Sequence, residues 1–207
     1  MRWLWLYLRC RNVLPAVTVT VTAIVTTWAM WVTFSDTQVI HPALTALTVA
    51  LAVIPISATL TGPTDAVERT AAVSWPLRRT AHLLAWAGVV IGLALSTRFT
   101  LDWFVSARYT PPELVLRDTA GLLGLTVLGA AVLGAQRAWI APLTWSLVSV
   151  VLAVTPTPGR PRPSYQQVVM WTTSSARPAV VTAVTLTAVG LAVHALRGPR
   201  ADQSLHP

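Results

Sequence analysis

The sequence predicts an all-α integral membrane protein: six transmembrane helices, an N-terminal interfacial helix, and a short cytoplasmic helix between the second and third spans. Three observations carry this expectation. Of 207 residues, 54% are hydrophobic and only 11% charged, with a mean hydropathy of +0.61, too apolar for a water-soluble surface. Stretches of the roughly 20 apolar residues that a bilayer core of about 30 Å demands recur six times. None of the six contains Asp, Glu or Arg.

Residues 1–12 form the first element, in which Arg2, Trp3, Trp5, Tyr7 and Arg9 alternate with leucines. Aromatics flanked by arginines favour the headgroup layer, either as an in-plane helix leading into span one or as a plain anchor. Span one, 13–34, holds a Val-Thr alternation from Val17 to Thr22 with the period of a strand. A lone strand would leave its backbone unpaired in lipid, so helix is expected, with Thr hydroxyls bonding back to the preceding turn. The run is too long for the apolar region of a secretory signal and ends without a small-residue cleavage site. Span two, 42–60, contains Pro55 and should kink there.

The connector Thr61–Arg79 carries a helix signature: Thr64 or Asp65 as cap, Glu68 in the first turn, Ala71 and Ala72 to propagate, and Trp75 just before Pro76, which is expected to end the helix. A short helix bearing a carboxylate, an aromatic and the Arg78–Arg79 pair suits a cleft in another protein; a solvated loop with topology-setting arginines is the plainer alternative. Span three follows at 80–97, span four at 119–136 and span five at 138–155. Span four has small residues four apart, Ala120 with Gly124 and Ala130 with Gly134, which permit close helix approach within the chain or between copies. The loop from Pro156 opens with an extended proline-rich stretch, and Ser164–Trp171 reads as a short interfacial helix. Span six, 178–196, closes a single transmembrane domain over 13–196, leaving 197–207 as a tail.

Summing arginines over alternate connectors gives nine on the side of the termini and six on the other, which by the positive-inside rule places both termini in the cytoplasm of a multi-pass cell-membrane protein. All 15 basic residues are Arg, and without Lys the chain can have neither a phosphate-binding loop of the G-x-x-x-x-G-K-[ST] kind nor a Schiff-base site. The net charge of +8 sits between apolar spans, where it fits lipid headgroups rather than nucleic acid. His41, His82, His194 and His206 stand isolated in sequence, and Cys10 is single. No catalytic residue, metal ligand or cofactor is therefore assigned, and no enzymatic activity is expected.

Three stretches carry a family resemblance. Glu68-Arg69-Thr70-Ala71-Ala72 through Pro76-Leu77-Arg78-Arg79 into His82-Leu83-Leu84 resembles the cytoplasmic coupling segment of small six-span ABC-2-type permeases of the actinobacterial kind. Arg117 to Leu125 with Gly134 to Leu143 is similar to their fourth span, tight turn and fifth-span start, and Leu196-Arg197-Gly198-Pro199-Arg200 resembles their ending. The resemblance implies an export permease that pairs with a second permease copy or relative and sits on a separately encoded ABC ATPase, which binds the ATP. Glu68, Arg69, Trp75, Arg78 and Arg79 would then contact or flank the ATPase cleft, and the cargo would be an amphipathic or lipophilic compound or peptide. In that family a re-entrant or surface helix often precedes the last span. The alternative is a non-transport membrane scaffold or accessory subunit whose cytoplasmic helix binds another partner.

Overall fold

The computed structural model describes residues 6, 8–35, 40–60, 75–104, 110–155 and 164–197. The regular elements among them are helical, and six are long and apolar enough to cross a membrane, so the chain is an all-α, multi-pass membrane protein. The elements are α1 (Val13–Phe34), α2 (Pro42–Val53), α3 (Trp75–Phe104), α4 (Pro112–Leu133), α5 (Ile140–Val154), α6 (Ser164–Val169) and α7 (Arg177–Arg197). All but α6 are spanning elements; α2 is completed by a 3-10 turn over Ile54–Thr59, and α5 is preceded by one over Ala135–Arg137.

Helix prevails over the strand-like alternation of α1 for the expected reason. Thr18 and Thr27 donate to the carbonyls of Leu14 and Ala23 four residues back, so neither hydroxyl is stranded in lipid. Thr20 is different: fully buried, it donates to the Ala52 carbonyl at 3.0 Å and joins α1 to α2. Ala52 lies just before the helix tightens into its 3-10 turn, at the point where Pro55 offers no backbone N–H. Before α1, Leu8–Cys10 are helical and Asn12 adopts a left-handed conformation (φ 51°), which breaks the leading helix from the span. Asn is among the few residues that accept that region at low cost.

Consecutive spans run in opposite directions. One end of the bundle therefore gathers Arg11, Thr59, Arg79, Arg137 and Arg197, and the other gathers His41, Thr110, Arg117 and Arg177. α4 is the central helix: 67% of its spanning window is buried, against 17–22% for α1, α3, α5 and α7. It packs along α7 and also touches α2, α3 and α5. The closest approach falls at Gly124 and Gly190, where a Cβ on Gly124 would lie 2.7 Å from Thr187 Cα and one on Gly190 would lie 2.8 Å from Gly124 Cα. Without side chains, two helix backbones meet directly and gain dispersion contact, the main source of helix association in lipid. Outward, Leu14, Val19, Val25, Met30, Leu84, Val151 and Val181 are exposed, an apolar exterior that only lipid or another membrane surface satisfies.

Two boundaries differ from the sequence expectation. Pro76 does not end a connector helix; it stands in the first turn of α3, which starts at Trp75 rather than at Thr80. A proline costs nothing there, because first-turn N–H groups have no intrahelical partner. At 30 residues α3 is about 45 Å long and outreaches the bilayer core, so Arg78 and Arg79 belong to the helix itself. α4 likewise begins at Pro112 rather than Thr119, with Glu113 in its first turn, and carries Arg117 and Asp118 into the bundle.

Candidate functional site

The expectation that no span contains Asp, Glu or Arg is overturned by α4. Arg117 and Asp118 lie five and six residues into the helix, about 8 Å along it, with side chains 7% and 2% exposed. They are paired at 2.7 Å, through both Nη2 and Nε of the guanidinium onto one carboxylate oxygen. Such a pair is held in an apolar setting only if its remaining donors are also satisfied. The third nitrogen is used as well: Arg117 Nη1 donates to the carbonyl of Ser174. Boundaries drawn at charged residues could not reveal this, since an ion pair between chain neighbours leaves no periodic signal.

Ser174 belongs to a segment that enters the bundle. After α6, which falls where a short helix was expected, the chain turns through Met170, Trp171 and Thr172, exposed by only 3%, 0% and 2%. The carbonyl of Val169 accepts from Ser149 Oγ at 2.6 Å and from Trp145 Nε1 at 3.0 Å, both on α5. Trp171 presses on Gly121 of α4, where a Cβ would lie 2.7 Å from its ring carbon Cζ3 and 3.2 Å from Ala183 Cβ of α7. Gly121 is nine residues, roughly 14 Å, from the start of α4, so the segment reaches well below the helix ends. Residues 164–176 thus make a re-entrant excursion rather than a surface anchor. Non-helical backbone at such depth is tolerated when protein encloses it, which α4, α5 and α7 do here.

At the opposite end, polar groups converge from four parts of the chain. Thr59 Oγ1 and His82 Nε2 are 2.9 Å apart, tying the end of the second span to α3. His194 on α7 is 2% exposed and lies within electrostatic reach of Arg79, His82 and Arg11, so His82 and His194 are not isolated as the sequence suggests. Arg11 is itself buried at 7%. Of the residues expected to meet a partner, Arg78 is exposed and Arg79 half-buried on the first turns of α3, and Trp75 opens that helix. Glu68 and Arg69 lie outside the described residues, as do Arg2, Trp3, Trp5 and Tyr7 of the leading segment, while Arg9 is described and exposed.

The four expected packing residues separate. Gly124 forms the contact with α7 inside the chain, Ala130 is fully buried, and Ala120 borders a small cleft with Leu83 and Thr187. Gly134 serves as a turn instead: φ 89° and ψ 157° are open to glycine alone, and they release α4 into the 3-10 turn over Ala135–Arg137. The sequence signal for Gly190, the partner of Gly124, is the small-residue stripe Ala183, Thr187 and Gly190 at helical spacing on one face of the last span, which the sequence reading above does not use. Among the described residues no group of three or more His, Cys, Asp or Glu could hold a metal ion.

No protein-family profile, curated protein or solved structure matches the chain.

Proposed function

We propose that the chain is the membrane-spanning permease subunit of an ABC-2-type exporter, driven by a separately encoded ATPase and moving an amphipathic or lipophilic compound or peptide. The observation that carries the proposal is the re-entrant segment 164–176 ahead of the last span, held by Arg117, Trp145 and Ser149, at the place where the resemblance implies a re-entrant or surface helix. The long α3 adds support: at about 45 Å it exceeds a bilayer core of about 30 Å, and its first turns carry Arg78 and Arg79, which follow Glu68 and Arg69 in sequence. In this reading both termini face the cytoplasm of a cell membrane, two permeases pair, and the connector with the Arg78–Arg79 turn transmits ATPase closure to α3. The sequence has no Lys for a nucleotide loop of its own, so ATP belongs to the partner.

The test is a mild-detergent purification of the tagged full-length chain, wild type against Trp75→Ala and an Arg78/Arg79 charge reversal, with identification of what co-purifies. An ATPase retained by the wild type and lost by both variants is the expected result. Well-folded wild-type protein that retains none, in several detergents, overturns the proposal in favour of the scaffold alternative.

A further inference from the structure

The backbone of segment 164–176 is bonded largely within itself. Met170 N–H donates to the Gln166 carbonyl at 2.8 Å, and the Met170 carbonyl accepts from Thr173 N–H at 2.9 Å and Ser174 N–H at 3.0 Å. The ties that join it to α4 and α5 come instead from side chains of those helices: Trp145 and Ser149 onto the Val169 carbonyl, and Arg117 onto the Ser174 carbonyl. A unit of this kind can leave its seat without unfolding, because the bonds that shape it travel with it.

The seat is also incompletely matched to what fills it. Trp171 Nε1 and Thr172 Oγ1 are buried without a hydrogen-bond partner among the described residues, and so is Ser146 Oγ on α5. Ser146 is fully buried, one turn before Ser149 and about 60° from it around the helix, on the side from which α5 grips Val169. A buried polar group with no partner loses its hydration outright, whereas a bond such as that from Ser149 to Val169 gains only a small surplus over the bond to water that it replaces. Burial of the Trp171 ring is thus opposed by three polar groups that water would satisfy.

We infer that residues 164–176 are a plug with two positions, the docked one described above and a withdrawn one in which Trp171 and Thr172 reach water and a polar cavity lined by Arg117, Gly121, Ser146 and Ser149 opens between α4, α5 and α7. As part of a transport route the plug rests on the permease reading; as a two-position segment it does not. The test is the rate at which a charged maleimide labels Thr172→Cys in the full chain, in phosphatidylcholine nanodiscs, after Cys10, the single native thiol, is changed to Ser. Thr126→Cys, a fully buried site on α4 whose hydroxyl bonds within its own helix, reports global unfolding. Complete labelling of Thr172→Cys while Thr126→Cys stays unlabelled is expected. Two further substitutions in the Thr172→Cys background then carry the argument, because each deletes one buried hydroxyl from neighbouring turns of α5. Ser149→Ala removes a bond that holds the docked plug and should speed labelling about fivefold, the size of one neutral hydrogen bond. Ser146→Ala removes a group that only the withdrawn position satisfies and should slow labelling about fivefold or more. General loosening would move both rates upward. Protection of Thr172→Cys equal to that of Thr126→Cys overturns the plug, and so do two serine substitutions that shift the rate in the same direction or leave it unchanged. Labelling with these opposed shifts in a chain that retains no ATPase supports the plug and counts against the permease reading; an ATPase-retaining chain with Thr172→Cys protected does the reverse.

Discussion

Gly190 of α7 lies against Gly124 of α4 with no side chain between them, and any Cβ at either position enters the partner backbone. Backbone cannot swing aside as the end of a flexible side chain can. Gly124→Ala and Gly190→Ala should each destabilise the bundle by about 1–3 kcal/mol, the usual cost of overpacking. Gly88→Ala on α3, where a Cβ would meet nothing within 4 Å, should be neutral or slightly stabilising because alanine favours helix. Thermal unfolding of the three variants in one detergent checks the contrast; equal shifts would refute it.

Asp118→Leu leaves the Arg117 guanidinium buried without its counterion, and Arg117→Leu does the same to the carboxylate. Each single change should cost about 3–5 kcal/mol, while the double change, with no charge left to strand, should cost less than either. A double-mutant cycle on unfolding free energies reads this directly. Additive losses would mean that the two side chains do not act as a pair.

Trp171→Ala opens a void against Gly121 and Ala183 and should cost about 3–5 kcal/mol. Trp171→Phe should be milder, since the indole N–H it deletes has no hydrogen-bond partner. Ser149→Ala should lose about 1 kcal/mol with the bond to the Val169 carbonyl, and should raise protease access to residues near 164–176 more than it lowers global stability. Limited proteolysis alongside thermal unfolding separates the two effects.

On the permease reading, Glu68→Arg and Trp75→Ala should uncouple ATP hydrolysis from transport while abundance and membrane insertion stay at wild-type level. Transport-linked ATPase activity measured on the reconstituted complex decides it. Full activity in both variants would sink the coupling assignment.

The membrane class, the number of spans and the helical state of the Val-Thr run in α1 were determined by the amino-acid sequence alone. They depend on local quantities: the length of each apolar run, and the need of backbone groups in lipid to pair within their own segment. Pro55 likewise announced a change of helix geometry, which the structure realises as the 3-10 turn Ile54–Thr59. Only the tertiary structure decided that α4 is the core, that Gly124 meets Gly190 while Gly134 turns the chain, that Arg117 and Asp118 are paired in the interior, and that Trp171 folds inward to cover Gly121. Partners such as Arg117 with Ser174, or Thr20 with Ala52, are 57 and 32 residues apart. Helical periodicity shows which residues of one helix share a face, but the packing of the whole bundle chooses what that face meets.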